Sequence, residues 1–137
     1  MKKLFLVLLS IFALAACQSR PTDITGETVT VIGDTYQNIT PDELNTMLKD
    51  RDLVFVNVHI PFEGNIADTD LSIPYNEIEQ NPSQLPSDKN AKVVLYCRSG
   101  RMSAIAAEKL VGLGFTNVWN LDGGMVGWEQ TGFDLEN

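Results

Sequence analysis

The apolar positions of this chain gather into short dense runs, separated by polar breaks that contain Gly and Pro. After Met1-Lys2-Lys3, residues 4–16 are almost unbroken apolar. Leu44, Met47 and Leu48 recur at helical spacing. They follow Thr40-Pro41-Asp42-Glu43, which combines a capping threonine, a proline at the first helical position and an acid that closes a capping box. Leu53-Val54-Phe55-Val56, continuing through Asn57 to Val58, predicts a strand buried on both faces. Leu71-Ser72-Ile73 predicts a shorter strand ending at Pro74, and residues 81–90, with Pro82 and Pro86, predict a loop. Lys92-Val93-Val94-Leu95-Tyr96 is the clearest buried strand. Ala104, Ala106, Ala107, Leu110 and Leu113 predict a helix from about Ser103, which Gly112 and Gly114 help to end. Val118-Trp119-Asn120-Leu121 predicts one more strand, and Asp122-Gly123-Gly124 turns the chain into a last short helix carrying Met125 and Trp128. Trp119 and Trp128 are expected in the core.

Strands alternating with helices imply parallel crossovers, hence an α/β domain with three α/β/α layers. In open sheets of this kind ligands bind at the carboxyl ends of the strands. Cys97 stands at the carboxyl end of the best predicted strand.

The first apolar run is too short for a permanent membrane helix, which needs about 20 residues. Its basic start and small-residue end fit a secretory leader instead. The segment Leu14-Ala15-Ala16-Cys17 at its end resembles the lipobox of bacterial lipoproteins. That resemblance implies a leader over residues 1–16 and a lipid on Cys17. It further implies export to the cell envelope, with the protein anchored on the periplasmic or extracytoplasmic face of a bacterial membrane. Gln18, where an aspartate would favour the inner membrane, points to an outer membrane if the cell has two. Residues 17–33 then read as a polar tether, and residues 34–137 as the folded domain.

The net charge of −8 argues against nucleic acid, whose phosphates need a basic face, and against a polybasic grip on anionic lipid. The chain has two cysteines, Cys17 and Cys97. With Cys17 acylated, Cys97 has no partner; the alternative is a disulfide between them. Cys97 is therefore the first candidate for chemistry. A short Gly-containing loop between a strand and a helix N-terminus can turn its N–H groups inward as an anion-binding nest, backed by the helix dipole. Such a bowl, with Arg98 and Arg101 near its rim, favours a thiolate at its floor and an anion above it.

The loop Cys97-Arg98-Ser99-Gly100-Arg101-Met102-Ser103 resembles the active-site loop of rhodanese domains, and Leu121-Asp122-Gly123-Gly124 with Gly127-Trp128 resembles that family's closing motif. The likeness runs from about Tyr36 to Phe133. It implies a five-stranded parallel sheet with helices on both faces, Cys97 as the carrier of sulfane sulfur, and residues 98–103 as the cradle of the substrate. The sequence departs from the family around the second strand. Many members have Asp-Val-Arg there and Gly-His-Ile a little later; this chain has Asn57-Val58-His59 and Gly64-Asn65-Ile66. His59, the one histidine, is expected at the pocket rim, where a structural role in place of the family arginine is favoured. One histidine and one free cysteine make no metal site, and nothing in the chain calls for a cofactor.

The expected activity is transfer of sulfane sulfur through a Cys97 persulfide. The donor is a small anion such as thiosulfate, ranked above mercaptopyruvate because two arginines suit a dianion; the acceptor is a thiol or cyanide. A phosphatase or arsenate reductase needs an arginine six residues beyond its cysteine, where this chain has Ser103. The remaining alternative is a membrane-tethered sulfur carrier or docking module with little turnover.

Overall fold

The computed structural model describes residues 23–136. The leader, Cys17 and the first residues of the tether lie outside them. The described chain opens with a hairpin of β1 (Glu27–Val31) and β2 (Asp34–Ile39), followed by helix α1 (Pro41–Asp50) and β3 (Val54–Asn57). Two short strands, β4 (Asn65–Ile66) and β5 (Leu71–Ser72), and a 3-10 turn (Ile78–Gln80) lead to β6 (Val93–Tyr96). Helix α2 (Arg101–Gly112), β7 (Val118–Leu121), helix α3 (Gly124–Gln130) and β8 (Leu135–Glu136) complete it.

The main sheet has the order β1-β2-β7-β6-β3-β5. From β2 to β5 every neighbouring pair is parallel, while β1 joins β2 antiparallel at the edge. The expected five parallel strands are therefore present, with a sixth added. That sixth strand corrects the expected tether: residues 27–31 are paired with the sheet. Val29 and Val31 turn toward the core while Thr28 and Thr30 face water, the period of a half-buried strand. Ile32 and Gly33, both at positive φ, make the two-residue turn that suits the twist of a hairpin.

Alternation along β6 divides the core. Val93, Leu95 and then Cys97 face α2 and the 3-10 turn, packing with Ala106, Ala107, Leu110 and Ile78. Val94 and Tyr96 face α1 and α3, packing with Leu44, Met47, Met125 and Trp128. Trp119 and Trp128 are both core residues. All four residues of β6 are buried, as a strand flanked by β7 and β3 and covered on both faces requires.

Helix α1 begins with its full capping box: Thr40 Oγ1 accepts from Glu43 N at 3.3 Å, and Glu43 Oε2 accepts from Thr40 N at 2.8 Å. Helix α2 starts at Arg101, two residues before the expected Ser103, because Gly100 at φ 96° turns the chain directly out of the loop. The β4–β8 pair forms a separate small antiparallel sheet that joins the end of the chain to the segment after β3.

Candidate active site

The loop from β6 to α2 is fixed from below by backbone hydrogen bonds. Met125 N donates to the carbonyl of Cys97 at 2.9 Å, and Val126 N donates to that of Arg98 at 3.0 Å. The unsatisfied amides at the start of α3 thus capture the carbonyls of the loop. This close approach explains the pair Gly123-Gly124: a Cβ on Gly124 would lie 2.4 Å from the carbonyl oxygen of Cys97. With those carbonyls drawn away, a loop N–H can face the sulfur. Gly100 N donates to Cys97 Sγ at 3.1 Å, and the Ser103 hydroxyl lies 3.4 Å from the same sulfur. The first-turn amides of α2, at Arg101, Met102 and Ser103, have no acceptor within their own helix.

A cavity of about 240 Å³ opens over Cys97, walled by His59, Tyr75, Arg98, Ser99, Arg101, Met102 and Ile105. The structure therefore brings Arg98, Ser99, Arg101, Met102 and His59 around Cys97. Gly100 and Ser103 are buried and touch the sulfur itself. Cys97 is almost wholly buried, and the cavity opens onto it. Arg98 is open, with 57% of its side chain exposed, and it reaches Glu63 Oε2 at 3.4 Å.

The opposite wall is held by side chains. Asn57, the last residue of β3, donates to the carbonyl of Gly64 and to Asn65 Oδ1, each at 3.0 Å, and its own Oδ1 accepts from His59 N. The buried Tyr96 hydroxyl accepts from Ile66 N at 3.0 Å and donates to Asn65 Oδ1 at 3.1 Å. Burial raises the Tyr96 pKa above its ordinary value, although hydrogen bonds from Thr69 and Ile66 oppose the shift. His59 Nε2 meets Glu63 Oε2 at 2.5 Å. That hydrogen bond, with the charge of Arg98, holds the Glu63 carboxyl below its ordinary pKa despite some desolvation.

The two departures from the family pattern thus meet in space, Asn57 against Gly64 and Asn65. Sequence reasoning missed Glu63, Tyr75 and Ile105. Glu63 lies four residues after the sole histidine, and Ile105 lies one helical turn beyond Met102; both spacings were readable. Tyr75 carried no such signal.

Residues 1–18 match the prokaryotic membrane lipoprotein lipid attachment site, and the protein is an exported, membrane-anchored lipoprotein. Among curated relatives, a sulfurtransferase of Allochromatium vinosum is 35% identical over 101 residues, covering 71% of this chain and 92% of that protein. An uncharacterized protein of Synechocystis is 32% identical over 100 residues, which cover 72% of this chain but only 55% of that protein. Among solved structures, a rhodanese-related protein of Thermoplasma volcanium superposes with a TM-score of 0.62 at 29% identity, covering 73% of this chain and 97% of that one. Residues 40–131 match the rhodanese-like domain, and the chain belongs to that family.

Proposed function

We propose that this protein is a sulfurtransferase that moves sulfane sulfur from a small anionic donor such as thiosulfate through a persulfide on Cys97. The observation that carries the reading is the placement of Cys97 Sγ at the floor of a cavity, receiving Gly100 N at 3.1 Å. The thiolate attacks the outer sulfur of thiosulfate, the S–S bond of the donor breaks, and sulfite leaves with the electron pair. Amides of the loop and first turn of α2 receive the charge of the persulfide, while Arg101 and Arg98 receive that of the donor. A thiophilic acceptor then bonds the outer sulfur, and the electron pair of the Sγ–S bond returns to Cys97. The name of the Allochromatium relative supports this chemistry. Ser103, where a phosphatase would place its arginine, is buried with its hydroxyl 3.4 Å from the sulfur.

Intact mass spectrometry of the reduced protein after thiosulfate tests the reading: one added sulfur atom on the Cys97 peptide is expected. Cys97→Ser should abolish both that gain and thiosulfate:cyanide turnover while unfolding at nearly the wild-type temperature. A folded Cys97→Ser variant with near-wild-type turnover would place the chemistry elsewhere. The membrane lipid is assigned to Cys17 on the same terms. Cys17→Ala should leave the leader uncleaved or free the protein from membranes, and unchanged membrane association with unchanged mature mass would refute it.

A further inference from the structure

The chain enters the described fold at the end of the sheet opposite the Cys97 cavity. Asp23 and Ile24 line one pocket with Asp50, Asp52, Leu53 and Lys92, residues that end α1 or come just before β3 and β6. This is the amino end of the parallel strands, whereas Cys97 follows the carboxyl end of β6. About 16 Å of strand separates Lys92 from Cys97. Six residue steps join Cys17 to Asp23, and fully extended they span at most about 20 Å. A lipid on Cys17 therefore keeps the amino end of the sheet close to the bilayer.

Two exposed apolar side chains stand at that same end. Among the described residues the exposed large apolar side chains are Ile32, Phe62 and Leu113. Phe62 lies in the segment after β3, beside Glu63 of the cavity rim. Ile32 is at the tip of the β1–β2 hairpin, and Leu113 caps the end of α2 remote from Cys97. Their neighbours Gly33 and Gly114 line one cavity, so the two positions share a corner of the molecule. Ile32 is out of place there on two counts. It is wholly exposed, and its φ of 43° is left-handed, a costly conformation for a β-branched residue. A two-residue turn with positive φ at both positions prefers Asn-Gly; this chain has Ile-Gly. Neither burial nor turn chemistry accounts for the isoleucine. Charges at this end come in both signs, Arg51 and Lys92 lining a pocket with Asp52 and Asp88, so no basic face grips anionic lipid.

We propose that the amino end of the sheet seats the domain on its own membrane. Ile32 and Leu113 dip into the headgroup–acyl boundary of the bilayer that holds the Cys17 lipid, and the Cys97 cavity faces water. This rests on the lipid assignment and not on the persulfide reading. The lipid supplies the anchoring. Once it is inserted, the two side chains meet the same bilayer intramolecularly, so weak apolar contacts suffice to orient the domain. Molecules that enter the cavity then come from the aqueous side.

The test uses the full lipidated protein in vesicles of neutral phosphatidylcholine, some of it carrying a nitroxide quencher near the headgroup. Cys97→Ser is present throughout, so that a single introduced cysteine takes a fluorescent label. Thr35→Cys places the label beside the hairpin tip, and Phe62→Cys places it beside the cavity. The label at 35 should be quenched at least about threefold more than the label at 62, since apolar groups seated this way lie within the boundary region. In Ile32→Asn with Leu113→Gln that ratio should fall toward one while the protein stays on the vesicles. Ile32→Asn alone should melt no lower than wild type, because asparagine suits the turn, and this separates lost seating from a damaged fold. Replacing part of the neutral lipid with phosphatidylglycerol should leave the ratio unchanged. Equal quenching at the two positions, or a ratio that the double variant preserves, overturns the proposal. So does a ratio that appears only with phosphatidylglycerol, which would assign the contact to charge. A label at 35 that is shielded from water yet unquenched by lipid would make the corner an interface between copies, and the proposal falls. A mature protein whose mass shows no lipid refutes the anchor and this proposal with it; lipid present with equal quenching refutes the seating alone.

Discussion

The two walls of the Cys97 cavity are held in opposite ways. The β6–α2 loop is a backbone object: the start of α3 captures its carbonyls, Gly100 turns it into α2, and the N–H of Gly100 is left facing the sulfur. The segment after β3 is a side-chain object, hung from Asn57, Asn65, Tyr96 and the His59–Glu63 pair. Backbone capture gives a rigid donor array that tolerates change in the exposed side chains. A side-chain lattice can be retuned residue by residue, and here it carries the residues that differ from the common family pattern. The first wall suits a chemistry shared across a family, and the second suits a choice of substrate.

The sharpest way to break the first wall is Gly124→Ala. The new Cβ would meet the carbonyl oxygen of Cys97 at 2.4 Å and Arg98 C at 2.6 Å, at a residue with φ 55°. Left-handed strain and a backbone collision together should cost upward of about 2 kcal/mol and abolish sulfur loading. Gly132→Ala is the control: φ is 98° but nothing lies within 4 Å of its Cβ. It should cost about 1–2 kcal/mol with loading intact. Denaturant melts and thiosulfate loading on both variants are the measurements. Equal loading in the two would mean that α3 does not shape the loop.

Tyr96→Phe strikes the second wall. It leaves the buried Ile66 N–H without its acceptor at 3.0 Å and removes one of the two donors to Asn65 Oδ1, Asn57 keeping the other. A loss of about 1–3 kcal/mol is expected in chemical denaturation. Thiosulfate loading should change far less than in Gly124→Ala, since the loop amides do not depend on this lattice. Loss of loading in a folded Tyr96→Phe protein would show the two walls to be one unit.

This contrast also governs what the sequence revealed. The β6–α2 loop was legible because glycine placement, a strand and a helix start are local features, and local features fix backbone geometry. β3, β6 and β7 were legible as dense apolar runs and β5 as a shorter one, whereas β2, the mostly polar Asp-Thr-Tyr-Gln-Asn-Ile, was not read as a strand. Nor was β1, because Thr-Val-Thr-Val at the sheet edge is short and half polar, and it follows a segment read as a tether. The exact start of α2 was missed because Gly100, not a polar cap, ends the loop. The second wall was visible only as departures from a pattern. Asn57 finds Asn65 eight residues on and Tyr96 finds it from another strand, and no periodicity encodes such pairings.

The arginines sharpen the comparison from the rim. Replacing Arg98 and Arg101 together with alanine should lower kcat/KM for thiosulfate about tenfold or more. Arg101→Ala should account for most of the loss, because Arg98 already shares its charge with Glu63 at 3.4 Å. Added salt should weaken the wild type more than the double variant, since rim charges are screened. Steady-state kinetics at two salt concentrations decide it, and a double variant equal to wild type at low salt would assign donor selection to the backbone alone.

The smallest expected effect is a pH dependence confined to the side-chain wall. Glu63 has its pKa lowered from an ordinary 4.5, chiefly by the hydrogen bond from His59 and further by the charge of Arg98. A carboxyl whose native pKa is depressed binds fewer protons folded than unfolded, so it stabilises the fold above the unfolded value. That contribution is lost as pH falls through the native value. Because Glu63 is open to water, the contribution is small. Glu63→Gln should therefore melt slightly below wild type from neutral pH down to about pH 5, and the gap should close in more acid solution. Hydrogen exchange locates the effect. Acid should loosen the amide of His59, which rests on the side-chain lattice, before those of Met125 and Val126, which donate to carbonyls with no titrating partner. A melting gap that persists unchanged below the native pKa of Glu63 would refute the linkage. Parallel loosening of both sets of amides would refute the division of the cavity into a backbone wall and a side-chain wall.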